Sequence, residues 1–165
     1  MRKTILIPTD FTVKSLNVLK TILVNSQNTD TFNILLVHGI SLNDSIRDLL
    51  FYSKSEQIES LTNPEFQEAC EVIKNKFGQQ IASLRIDLFS GYNLAAFENY
   101  LEGNKVDAIF TCERKSLLIN KNSFDLSQFI DKCSVKVTRI NSGLNTSIPE
   151  KGKIAEVFIN QVSMG

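Results

Sequence analysis

The chain has 165 residues, of which 42% are apolar and 22% charged, with eighteen basic residues balanced by eighteen acidic ones. This length and composition predict one soluble globular domain with a proper core, and not a disordered chain. The zero net charge argues against a general attraction to nucleic acid or anionic membrane, and no apolar run approaches the roughly 18 residues of a membrane span.

Along the chain, five apolar segments rich in β-branched residues alternate with stretches of helical period. The N-terminal "MRKTILIPTDF" carries two basic residues but only a short apolar run before Pro8 and Asp10, so it reads as a strand and not as a secretory signal. The first strand is Thr4–Thr9. Thr12 then caps a helix with Leu16, Leu19, Ile22 and Leu23 inward, and Phe11 and Leu16 stand at the two positions of a hydrophobic staple. Phe32–Ile40 is a second, near-continuous apolar strand, as expected where helices cover both faces. Ser41–Thr62 predicts a loop with a short helix around Asp44–Phe51.

Asn63-Pro64 is a cap followed by proline at the first helical position, with Phe66, Ala69, Cys70, Ile73 and Phe77 on one face and Gly78 as the stop. Ala82–Phe89 is the third strand. Asn93 opens a helix with Leu94, Phe97 and Leu101 inward and Gly103 at its end, and Val106–Cys112 is the fourth strand. Ser123 is expected to open a further helix, with Asp125 in its first turn and Leu126, Phe129, Ile130 and Cys133 on one face. Ser134–Ile140 is the fifth strand. Alternation of this kind implies right-handed βαβ units and a five-stranded parallel doubly wound sheet, order 3-2-1-4-5, with helices on both faces. In such a sheet ligands bind beyond the C-terminal ends of the strands where the winding reverses. Here that rim is Thr9-Asp10 and Thr111-Cys112, with Pro8 before it.

Several separate segments, "ILIPTDFTVKSLNVLK", "ILLVH", "GYNLAAFENYLEGNKVDAIF" and "SVKVTRI", together resemble the universal stress protein family over roughly Arg2 to Asn141. The resemblance implies a universal-stress-protein-like (adenine nucleotide alpha hydrolase-like) domain over residues 1–141, with 142–165 as a C-terminal extension. That family mixes nucleotide binders with members that bind none. Its ATP-binding members carry a motif after the fourth strand of glycine, two residues, glycine, nine residues, glycine, then serine or threonine. Laid on this chain, those positions fall on Cys112, Lys115, Asp125 and Leu126, and a shift of two residues brings in Ser123 but no glycine. Asp10 matches an adenine-side feature, while Gly39 stands where an apolar residue would pack on the base.

Left-handed glycines replaced by other residues would cost roughly 1–2 kcal/mol each, against the ~8 kcal/mol that a micromolar ligand has in all. The expectation is therefore a stress-response regulatory or interaction module that holds no cofactor and binds no ATP in the family's usual way. The alternative is an ATP- or AMP-binding sensor in which Asp10 and the basic pair Arg114 and Lys115 meet the nucleotide by charge.

Three cysteines without CxxC spacing predict no disulfide framework or zinc site, and a reducing cytoplasm. Cys70 and Cys133 read as core fillers. Cys112, near Arg114 and Lys115, reads as a small residue ending its strand or as a reactive thiol, the basis of a thiol-reactive or hydrolytic alternative. His38 reads as a hydrogen-bonded core or rim histidine, and Asp10 either orients a ligand or ties down its own loop. No catalytic constellation or metal-ligand pattern is read. The resemblance also implies a homodimer through the fifth strand. The tail "SGLNTSIPEKGKIAEVFINQVSMG" has a linker-like start, and "KIAEVFINQV" can pack as a strand or as a short helix, at the dimer or against an unknown protein partner.

Overall fold

In a computed structural model, residues 2–27, 29–41, 53–112 and 123–140 are described. The strands are β1 (Arg2–Pro8), β2 (Thr31–Ile40), β3 (Ile81–Phe89), β4 (Ala108–Cys112), β5 (Ser123–Phe124) and β6 (Lys136–Ile140). Five of them form a parallel sheet in the order β3-β2-β1-β4-β6, and β5 lies off this path, antiparallel to the end of β2. The expected order, with the first strand central, is the one observed. The last parallel strand is sixth in the chain only because β5 intervenes.

The helices are α1 (Leu16–Asn25), α2 (Lys54–Leu61), α3 (Pro64–Lys76), α4 (Leu94–Gly103) and the single turn α5 (Ser127–Ile130). Side-chain alternation along the strands splits the core in two. Ile5, Ile7, Ile34 and Leu36 pack against α1, α2 and α3, while Leu6, Leu35, Val37 and Ile109 pack against α4 and α5. β1 and β2 are buried on both faces, the reason their sequences are continuous apolar runs.

The helix starts follow their caps. Thr12 accepts from the Ser15 amide at the head of a 3₁₀ turn, Val13–Ser15, that leads into α1. Asn63 accepts from Phe66 N at 2.9 Å with Pro64 in the first turn, and Asn93 accepts from Ala96 N at 2.9 Å. Two expectations need correction. Ser123 does not open a helix. It lies in extended backbone paired with Ile40, and the helix begins only at Ser127, whose amide donates to Asp125 Oδ1 at 2.9 Å. Between β2 and α3 a helix forms over Lys54–Leu61, where Ser53 accepts from Glu56 N. The predicted helix around Asp44–Phe51 lies outside the described residues.

Asn63 also bonds outside its own helix. Its Nδ2 donates to the Phe11 carbonyl at 3.0 Å, tying α3 to the turn after β1. Replacing Asn93 by alanine removes a cap alone, about 1 kcal/mol. Asn63→Ala removes a cap and a part-buried hydrogen bond, so its loss is expected to be about twice as large. Urea unfolding of the two variants measures this, and equal losses would show that the Asn63–Phe11 bond contributes nothing.

Candidate functional site

The site is the rim at the C-terminal ends of β1, β2 and β4. Its sequence-predicted members Pro8, Thr9, Asp10 and Gly39 come together because β1 and β2 run in register, with Pro8 beside Val37. The Thr9 amide extends that ladder by donating to Val37 O at 2.8 Å. Register between β1 and β4 pairs Ile5 with Ala108 and Leu6 with Ile109, and continuing it brings Cys112 level with Thr9.

Beyond β1 the chain turns sharply, and its side chains hold the turn. Thr9 and Asp10 are each 2% exposed. Asp10 Oδ1 accepts from Thr12 N at 3.2 Å and from Thr12 Oγ1 at 2.5 Å. Ser15 Oγ donates to Thr12 O at 2.7 Å and lies 2.8 Å from Thr9 Oγ1, which accepts from Phe11 N at 3.1 Å. With one proton per hydroxyl, Thr9 therefore donates to Ser15. Of the two roles open to Asp10, tying down its own loop is thus present in the structure.

Phe11 adopts φ 60°, a left-handed conformation that a bulky residue rarely takes. It is held there by packing: its ring lies 5.1 Å from the His38 ring and 5.5 Å from that of Phe66.

His38, at 3% exposure, joins three segments. Its Nδ1 is 2.9 Å from Thr9 O, and its Nε2 is 2.7 Å from Ser123 Oγ. A carbonyl only accepts, so the proton of the neutral ring sits on Nδ1, and Nε2 accepts from the Ser123 hydroxyl. Burial holds the imidazole below its usual 6.5, although the Thr9 carbonyl and the Asp10 charge pull the other way. The hydrogen-bonded rim histidine expected from the sequence is what the structure contains. A serine hydroxyl donating to a histidine nitrogen is also a geometry of nucleophilic catalysis. Here the serine is 8% exposed and the far nitrogen meets a carbonyl, and the pair closes the rim as a clasp.

The clasp has a further consequence at Gly39. Gly39 pairs with Phe124, and a Cβ added at Gly39 would lie 2.7 Å from Phe124 O and 2.9 Å from its ring Cε2. The Phe124 ring is held in turn by Phe89, at 6.3 Å between centroids, and by Phe129, at 6.1 Å. The place at Gly39 where the resemblance would lay a base against β2 is taken by an aromatic side chain of the protein itself. Sequence reasoning missed Ser123 and Phe124 as rim residues. The available signal was Gly39 itself, since a glycine inside a buried strand marks close approach by a ligand or another backbone.

The remaining predicted residues are dispersed or undescribed. Cys112 is half-buried, beside Ile140 in the sheet and packed on the α1 side of the core. Arg114 and Lys115 lie outside the described residues. Of the other motif positions, Asp125 accepts from the Ser127 amide ahead of α5 and Leu126 is buried. Among the described residues no group of three or more His, Cys, Asp or Glu is placed to hold a metal ion, and no helix is long and apolar enough to cross a membrane.

The chain contains one histidine, so titration between about pH 5.5 and 7 reports on His38 almost alone. Its folded value is lowered, so the unfolded chain takes up the proton first. Stability is expected to be full above 6.5 and to fall as pH drops from 6.5 through the folded value. In His38→Gln the stability at pH 7.5 falls by about 1–3 kcal/mol, as Thr9 and Ser123 lose their partner, and the slope over this window vanishes. Chemical unfolding across that pH range checks both. A slope that persists in the variant would assign it to another group.

No protein-family model and no curated protein sequence matches the chain. Solved structures do. The chain is similar to the universal stress protein UspA of Lactobacillus plantarum at 14% identity, covering 84% of this chain and 97% of that one with a TM-score of 0.53. A universal stress protein family protein of Arabidopsis thaliana, solved with AMP bound, aligns at 11% identity over 90% of this chain and 97% of its own, with a TM-score of 0.48. A further member, from Burkholderia pseudomallei, aligns at 11% identity over 84% and 95%, with a TM-score of 0.45. The strand order, the helices on both faces and the first of these alignments agree: the chain has the fold of the universal stress proteins.

Proposed function

We propose that the protein is a regulatory or interaction module of the stress-response type, cytoplasmic and homodimeric, which holds no ATP in the manner of the family's nucleotide binders. The observation that carries this reading is the Phe124 ring packed across Gly39. To seat a base there, the chain would have to withdraw Phe124 from its contacts with Phe89 and Phe129. Exposing one phenylalanine and breaking two aromatic pairs costs roughly 2.5–6 kcal/mol. That is a large share of the ~8 kcal/mol available to a micromolar ligand. The lack of glycine at Cys112, Lys115 and Asp125, and of a hydroxyl at Leu126, works in the same direction. The bonds from Thr12 to Asp10 also commit one carboxylate oxygen to the loop.

The homodimer rests on β6. It is one of the two edge strands of the sheet among the described residues, and an open edge needs a cover. A second copy supplies one by pairing its own last strand there.

The protein purified without added ligand is expected to show no nucleotide absorbance at 260 nm, and it lacks tryptophan, so a bound nucleotide would stand out. ATP, ADP or AMP at about 1 mM with magnesium is expected to leave the melting temperature unchanged. A ligand at about a hundred times its Kd would add ~2.7 kcal/mol and a rise of several degrees. Such a rise would instead favour a sensor that engages nucleotide through Asp10, Arg114 and Lys115. Light scattering at micromolar concentration is expected to give the mass of two chains, and a monomer would remove the dimer from the proposal.

A further inference from the structure

The two faces of the sheet are not covered equally. On the face bearing α4 and α5, Ile109 and the half-buried Val137 pack into the core beneath those helices. On the other face, α1, α2 and α3 bury Ile5 and Ile7 of β1 and Ile34 and Leu36 of β2, but among the described residues no helix lies beyond α1. Ala108 and Phe110 of β4 and Thr138 and Ile140 of β6 are left half-exposed there. Together with Ile5 and with Ile22 of α1 they line an open groove of about 870 Å³. A parallel sheet is stable with both faces covered, and among the described residues this part of the layer has no cover.

We propose that the chain's own C-terminal segment, Lys151–Val162, forms a helix that lies in this groove beside α1 and completes the layer. Three observations favour this occupant. The first is position: β6 ends at Ile140, itself a groove residue, so the tail starts at the mouth of the groove. The second is reach. Residues 141–150 can span roughly 33 Å when extended. A helix over 151–162 is about 18 Å long, close to the ~17 Å of a five-residue strand such as β6.

The third is pattern. Ile154, Val157, Phe158 and Val162 recur at helical spacing, while Lys153, Glu156 and Asn160 fall on the opposite side. Handedness agrees as well. The path from β1 to β2 crosses the sheet in one direction with α1 on this face. A return from β6 over β4 runs in that same direction, so a right-handed turn places it on this face too. As a helix, the segment also satisfies its own backbone hydrogen bonds, which a lone strand laid across a sheet face would leave unmade.

The test is cross-linking in the full chain with Thr138→Cys and Val157→Cys, in a background of Cys112→Ser and Cys133→Ala. Cys70 stays, since burial raises its thiol to about 11 and keeps it unreactive at neutral pH. A short bis-maleimide at nanomolar protein is expected to join residues 138 and 157 within one chain, as read by peptide mass. A link between chains would show that a second copy fills the groove, and no link would show that the segment does not lie there. Either result overturns the proposal. Independently, Phe158→Asp in the otherwise native chain is expected to speed amide exchange in β4 and β6 by roughly tenfold or more. Unchanged exchange in those strands would also overturn it.

Discussion

One buried imidazole organises the rim of this sheet. His38 stands at the end of β2, bonded on one side to the backbone that leaves β1 and on the other to the segment that precedes α5. Its two nitrogens serve opposite purposes, one donating and one accepting, and only the neutral ring can do both. Burial favours that neutral ring by removing water that would stabilise the charge. The clasp fixes Ser123 beside the end of β2, where Ser123 and Phe124 run antiparallel to Gly39 and Ile40 and the Phe124 ring packs on Phe89 and Phe129.

The rest of the rim is built on the same economy of polar groups. Thr9, Asp10, Thr12 and Ser15 exchange hydrogen bonds among themselves, so the turn after β1 is held by side chains where a looser loop would rely on solvent. These residue types, at the end of the central strand of a doubly wound sheet, are also the ones that would greet a ligand. What separates the two uses is the company they keep. Here the neighbouring strand end is closed over by an aromatic ring, and the polar groups turn inward.

The architecture was legible from the sequence to within a residue or two at most element ends. Asn63-Pro64, Asn93 and the continuous apolar run of β2 each dictate local structure strongly, and tertiary packing agrees with them. The miss at Ser123 has a clear cause. Serine followed by acidic and apolar residues is a good helix opening on local grounds, but a hydrogen bond to a histidine 85 positions earlier overrides it. Helix α2 was missed because its apolar content is low and only Leu61 of its residues is buried, which leaves little periodic signal. Fold is written in local patterns, whereas the closing of the rim depends on one glycine, one histidine and one phenylalanine far apart in the chain.

The left-handed backbone at Phe11 has a consequence for how the protein reaches its native state. The turn that carries it is unfavourable by itself, and the groups that hold it, His38, Asn63 and Phe66, all come later in the chain. The rim therefore cannot be assembled by its own segment, however well the first strand and helix form. It is set only when α3 docks, a contact spanning 52 positions in sequence. Long-range closures of this kind are slow steps and bind distant segments into one cooperative unit. The turn beside the central strand thus serves as a report that the third helix is in place.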